Sequence, residues 1–296
     1  MQLQHIHENV YYLTGFVNIG VVVASDDRAI LIDSGIGDRS ARQVLRTLQT
    51  AGLTPVAVLN THCHGDHAGG NAYLVEKAGV QVYAPLHDSI VIQYPLWGTL
   101  FLFIGADPIH EVRTPRFHAR PSPVHVVVSE GPLEVAGVNI EAISLPGHTG
   151  THTGYRVSDV LFLGDALATE EELQRVGLPY GYSVTMQLAT LDKLEQMQCP
   201  YYLLAHSGVR EDIGDLIARN RARIQEVLAF IRDYLAHQPA EAGQVITALA
   251  DHLGLRLHKV QDYFLLQLTV YAYLSHLHNG GAINFRLEGN RLLWCA

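Results

Sequence analysis

Four side chains able to bind a metal crowd into Thr61-His62-Cys63-His64-Gly65-Asp66-His67-Ala68-Gly69-Gly70-Asn71: His62, His64, Asp66 and His67. Imidazole and carboxylate are donors that divalent transition metals select, and a hydrophobic core has no use for such a run. A regular strand would send His62, His64 and Asp66 to one face and His67 to the other. The spacing therefore predicts a loop that turns them toward a common point, closed by the glycine pair and entering a helix near Asn71.

Three more residues stand just beyond apolar, strand-like runs. His148 follows Ile143-Ser144-Leu145-Pro146-Gly147, Asp165 follows Val160-Leu161-Phe162-Leu163-Gly164, and His206 follows Tyr201-Tyr202-Leu203-Leu204-Ala205. Asp33 follows Ile30-Leu31-Ile32 in the same way. Alone, each reads as an ordinary turn or hydrogen-bonding residue. Strand ends that meet at one edge of two packed sheets would bring all of them to the cluster, a donor set large enough for two metals with room for water between them.

The elements that must do this positioning follow from periodicity. Residues 1 to 35 read as an antiparallel meander, Ser40 to Ala51 as a helix stopped near Gly52, Val56 to Leu59 as a strand, Ala72 to Ala78 as a helix and Val80 to Tyr83 as a strand. Residues 86 to 122 break the pattern, mixing Tyr94, Trp97, Phe101 and Phe103 with several prolines, and read as an irregular insert that is either a lid or a partner-facing surface. Strand patterns resume at 124–128, 133–135, 139–145, 153–157, 160–163 and 201–204, with a helix at 184–196 before the last. Beyond Gly208 the chain turns helical, with helices at 212–236, 244–253 and 260–277, and ends in a hairpin turning at Glu288-Gly289-Asn290. Helix, helix, hairpin is the outline of a winged-helix module. The expected division is 1–210 and 211–296.

The sequence has 296 residues, enough for one large domain and an appendage. Its three cysteines, Cys63, Cys199 and Cys295, form no paired spacing and fit a reducing compartment. With no signal-peptide pattern and no apolar run long enough for a membrane span, the expected location is the cytoplasm. The formal net charge of −9 opposes indiscriminate binding to phosphate backbones. From Ala205 onward acidic and basic residues are equal in number, so the final module carries no basic face, and nucleic acid is disfavoured as its partner. The apolar helix at 260–277 fits pairing with a second copy or the capping of a pocket better.

The order His-x-His-x-Asp-His, then His148 in Pro-Gly-His-Thr, Asp165 in Leu-Gly-Asp and His206 at a later strand end, resembles the metallo-β-lactamase superfamily of hydrolases over roughly residues 10 to 208. The resemblance implies an α+β fold, an αββα sandwich. It implies that His62, His64 and His148 hold one metal, that Asp66, His67 and His206 hold a second, and that Asp165 bridges them. Asp33 resembles the family's aspartate that orients the cluster loop. The expected cofactors are two divalent ions, zinc first, with iron or manganese as alternatives.

The chemistry such a site implies is hydrolysis of an ester, thioester or phosphodiester in a small molecule by a bridging hydroxide, with Asp66 orienting it and relaying its proton. Cys63, as an intervening residue, is expected to point away. His152 is expected to brace the loop of His148. Gly147-His148-Thr149-Gly150-Thr151-His152 is similar to the pattern of a β-lactamase-like group that includes endoribonucleases and carries a winged-helix-like module. Glyoxalase II shares all seven ligands, but its basic glutathione-binding groups find no match here. Two alternatives stand beside the hydrolase: an iron oxygenase resembling the persulfide dioxygenases, with one iron at His64, His148 and Asp165, and an RNA-binding or endoribonuclease protein.

Overall fold

The computed structural model describes residues 1–296, which divide into two compact units: Met1–Ala166 with Met197–Ile213, and Leu167–Gln196 with Gly214–Ala296. The division differs from the expected cut at 210. Residues 167–196 group with the C-terminal helices, because the helix at 184–196 packs on the long helix that starts at Gly214.

The first unit contains two sheets. One orders β1 (Leu3–His7), β2 (Val10–Leu13), β3 (Ile19–Val23), β4 (Arg28–Ile32), β5 (Thr54–Leu59), β6 (Gln81–Pro85) and β7 (Val126–Val128). Its first four strands form the expected meander, and β4 to β7 run parallel. The other orders β13 (Gly208–Arg210), β12 (Tyr201–Leu204), β11 (Val160–Gly164), β10 (Thr153–Val157), β9 (Val138–Ser144) and β8 (Gly131–Val135), antiparallel except for β11 beside β12. Helices α1 (Gly37–Thr50), α2 (Gly65–Ala68) and α3 (Asn71–Ala78) connect strands of the first sheet.

Two-residue alternation decides which side chains face which layer. Along β4, Ile30 and Ile32 join Val10, Val22 and Leu59 against Ile140, Tyr155 and Phe162 of the second sheet. Ala29 and Leu31 point the other way and pack with Ala41, Val44 and Leu48 of α1 and Leu74 of α3. Both faces of β4 are therefore buried, as its apolar run requires. Because β4 and β5 are parallel, and so are β11 and β12, the segments that follow them leave each sheet at the C-terminal ends of neighbouring strands.

The insert is more regular than its composition predicts. It forms α4 (Leu86–Gln93) and α5 (Leu96–Leu102), broken at Pro95, before a long irregular return to β7. Proline has no backbone N–H, so it ends one helix pattern while suiting the start of the next, which disguises two short helices as one disordered stretch.

The second unit contains α6 (Glu170–Val176), α7 (Val184–Gln196), α8 (Gly214–His237), α9 (Ala242–His252), α10 (Val260–Asn279) and the hairpin β14 (Asn284–Glu288) with β15 (Arg291–Cys295). Gly289 and Asn290 both take positive φ, 54° and 63°, the geometry that closes a two-residue hairpin. The helix at 170–176 was not anticipated, although Thr169 and Glu172 form a capping box that Thr-Glu-Glu-Glu announces. No helix is long and apolar enough to cross a membrane.

Candidate metal centre

His62 and His64 leave the end of β5 in a short loop. The next four residues, read above as loop, are the helical turn α2, in which His67 and Ala68 donate their N–H groups to His64 O, both at 2.9 Å. This turn swings Asp66 and His67 away from His62 and His64 and divides the cluster in two. His148 stands between β9 and β10, Asp165 follows β11, and His206 lies between β12 and β13. The seven fall into two groups of converging donor atoms: His62, His64, His148 and Asp165, and Asp66, His67 and His206, with atoms inside each group within 4.8 Å of one another.

In the first group, Nδ1 of His64 faces two other ring nitrogens, Nε2 of His62 at 3.0 Å and Nε2 of His148 at 2.9 Å. Burial is the main influence holding His62 and His148 well below the ordinary imidazole range, so both favour the neutral form that coordinates metals. Asp165 lies between the groups. Its Oδ2 is 3.4 Å from His148 Nε2 and 3.8 Å from His62 Nε2, whereas its Oδ1 is 3.3 Å from His67 Nε2 and 3.5 Å from His206 Nε2. Burial pushes the Asp165 carboxyl upward, but the neighbouring histidines, His67 first, outweigh it and leave the pKa well below the carboxylate range. His67 shows the converse, with burial overcome by Asp165 and Asp33. Oδ1 of Asp165 and Nε2 of His67 are buried and have no hydrogen-bond partner. Two buried atoms without a hydrogen bond, a carboxylate oxygen and a ring nitrogen, beside three convergent imidazole nitrogens fit a cation-binding centre and no apolar core.

Supporting contacts fix these side chains. Asp33, buried at a φ of 66°, accepts from Thr61 N–H at 2.8 Å, Thr61 Oγ1 at 2.9 Å and His67 Nδ1 at 2.8 Å. The last bond leaves Nε2 of His67 as the ring nitrogen turned toward the other converging atoms, an arrangement suited to holding a cation. His152 does brace a ligand, but a different one: its Nε2 accepts the Asp165 N–H at 3.1 Å, with burial lowering its pKa to about 4. Gly164 makes this possible, since a Cβ there would lie 2.7 Å from His152 Nε2. Cys63 packs beside Ala68, Ala84 and Ile92, and burial, then Asp88, raises its thiol pKa, so it is a poor nucleophile.

The sequence reasoning missed Asp88. This buried carboxylate on α4 accepts from Cys63 N–H at 2.9 Å, Thr149 Oγ1 at 3.1 Å and Thr151 Oγ1 at 2.5 Å, tying the loop of His62 and His64 to the loop of His148. A carboxylate in a short helix whose Leu86 and Ile90 are exposed carries no local mark of this role. The only cue was an acidic residue amid the apolar run of the insert.

Comparison with known proteins decides the family. The family model described as metallo-beta-lactamase superfamily matches residues 13–206. The chain belongs to this superfamily. Two solved structures share the α+β sandwich: a beta-lactamase domain protein from Burkholderia ambifaria, with a TM-score of 0.76, 18% identity, and 99% of this chain and 93% of that one covered, and a metallo-beta-lactamase family protein from Thermus thermophilus, also at 0.76, with 22% identity and coverages of 97% and 98%. Among relatives by sequence, a hydroxyacylglutathione hydrolase from Xanthomonas axonopodis pv. citri is 34% identical over 149 residues, 50% of this chain and 46% of that protein. The chain thus spans about half the length of the first relatives it matches. A hydroxyacylglutathione hydrolase from Xanthomonas campestris pv. campestris is 27% identical over 244 residues, 81% of each chain. As a metallo-β-lactamase superfamily member, the chain has His and Asp groups placed where two cations could be held.

Proposed function

We propose that this protein is a metal-dependent hydrolase that holds two divalent cations, zinc by donor type, and cleaves a thioester in a small molecule. The observation that carries the reading is the position of Asp165, with one carboxylate oxygen toward each group of histidines. His62, His64 and His148 would hold one cation, Asp66, His67 and His206 the other, and Asp165 would be shared. Such a pair of cations, when bound, lowers the pKa of water toward neutrality and polarises the carbonyl under attack. Among the bond types open to this chemistry, the thioester is favoured by relatives named hydroxyacylglutathione hydrolase.

The chain's own groups orient and carry protons. Asp33 fixes the ring of His67 and the backbone at Thr61. Asp66 offers a buried carboxylate that would help hold the second cation and take up a proton. No side-chain nucleophile is needed, which agrees with a Cys63 thiol lodged among apolar groups. The oxygenase alternative would leave Asp66, His67 and His206 convergent without a role.

Elemental analysis of the purified protein, with an assay of a hydroxyacylglutathione thioester, tests this directly. The expected result is two divalent ions per chain and thioester cleavage, with both lost in His62→Ala and Asp165→Asn. One iron per chain with oxygen consumption would overturn it, as would full activity in a metal-free variant.

A further inference from the structure

The insert carries three arginines, and two of them are firmly engaged away from the candidate centre. Nη2 of Arg113 donates to Asp107 at 2.7 Å, and Arg120 pairs with Glu76 at 2.6 Å and Asp38 at 3.2 Å. Arg116 is the most loosely held of the three, its ion pair with Asp66 being at the limit of contact. Its Nε stops 4.0 Å from Oδ2 of Asp66, outside hydrogen-bond range, with the side chain 49% exposed.

This placement is built rather than incidental. Phe117 and His118 donate their N–H groups to Thr114 O at 2.9 and 2.7 Å, forming a turn that carries Arg116. Gly65, between the two groups of ligands, donates its N–H to Arg116 O at 3.0 Å. A Cβ on Gly65 would lie 2.3 Å from Pro115 O and 2.7 Å from Arg116 O, so only glycine lets the insert's backbone come this close. The guanidinium also lies over the Phe117 ring, 5.5 Å from its centroid, a contact that spares its in-plane donors.

We infer that Arg116 is a specificity-determining residue that binds a carboxylate of the substrate close to the scissile bond. The inference rests on the thioester reading above. A guanidinium presents a planar fork of donors that matches a carboxylate, and charge-assisted hydrogen bonds of this kind are the strong ones. Asp66, proposed to be committed to a cation, would leave that fork to the incoming molecule. Because Arg116 stands beside a ligand, the negative charge it reads must sit within a few atoms of the reacting carbonyl.

The probes are S-acetyl-3-mercaptopropionate and its neutral amide, which differ only in that charge, assayed with the zinc-loaded wild type, Arg116→Gln and Arg116→Lys. The wild type should prefer the carboxylate, and Arg116→Gln should lower the ratio of the two kcat/KM values about 10- to 100-fold, chiefly through KM. Arg116→Lys should recover part of the ratio, as a point charge without the fork. Calorimetry with the matching S-ethyl thioethers, which do not hydrolyse, should show the same loss of carboxylate preference. An unchanged ratio in Arg116→Gln, or equal loss for both substrates, overturns the assignment. No hydrolysis of either thioester, with the thioether preference intact, would instead count against the thioesterase reading alone.

Discussion

The segment 61–71 and the insert 86–122 flank the same strand, β6, yet they are built on opposite terms. In the first, Thr61, His62, Asp66, His67 and Asn71 are all buried; Thr61 and His67 bond to Asp33, and Asn71 bonds to Asn60. In the second, Tyr94, Trp97, Phe101 and Ile104 are exposed apolar groups, and the segment is held at a few points such as Asp88, Arg120 and the Arg116 carbonyl. Buried polar groups are costly unless satisfied, so the first segment has one workable conformation. Nothing comparable constrains the insert's outer face, which is free to set what the centre accepts. Substitutions in the two should differ in kind: stability and metal affinity for one, selectivity for the other.

The sharpest contrast is expected at Asp33. Asparagine tolerates its positive φ, so Asp33→Asn leaves the backbone undisturbed and changes only the acceptors. The new amide must point an NH2 at the Thr61 N–H or at the His67 Nδ1–H, since only the Thr61 hydroxyl can turn to accept. With about 1–3 kcal/mol lost for each buried group left unmatched, the variant should lose about 3 kcal/mol of stability. The metal affinity of the His67 group should fall about 10- to 100-fold. Urea unfolding and chelator competition measure the two, and a wild-type midpoint would show that the segment is not held as described.

Asp88 joins the two regions, and a smaller effect is expected there. Of its three donors, two are threonine hydroxyls, which can rotate to accept from an amide, whereas the Cys63 N–H cannot. Asp88→Asn should therefore cost about 1–2 kcal/mol by urea unfolding if its oxygen stays on Cys63. It should weaken metal binding by the group containing His64 and His148 more than by the group containing His67. Equal weakening of both, read by stepwise metal titration, would remove Asp88 from any selective role.

This contrast also explains what was legible in the sequence. The donors at 62–67, 148, 165 and 206 could be read because their types serve no packing purpose, and the sandwich could be read because β4 and β5 are apolar on both faces. Asp33 was legible as a strand-end residue beside the site, and its orienting role only through the family resemblance. Asp88 and Arg116 were not legible, since their meaning arises from which loops the insert reaches, and no periodicity records that. The two-part character of the cluster was legible only through the family resemblance, not through periodicity. It depends on the single helical turn at Gly65–Ala68, shorter than any window in which periodicity can be seen. The observed division departs from the cut expected at 210 for a related reason, since α7 packs as a helix among helices although it precedes a strand of the first unit.

The smallest effect belongs to the insert's outer face. Phe101 is 62% exposed and touches Trp97 only as a tilted ring pair, 6.2 Å between centroids. Phe101→Ser removes little buried area and should leave the unfolding free energy within about 0.5 kcal/mol of the wild type. A loss above about 1 kcal/mol would mean that this face is covered in solution, and its dependence on protein concentration identifies the cover. A midpoint that rises with concentration in the wild type but not in Phe101→Ser points to a second copy of the chain. An invariant midpoint with an altered KM points to a face over which substrate passes. In either case the insert's apolar residues act on what approaches the molecule, and those of β4 act on what holds it together.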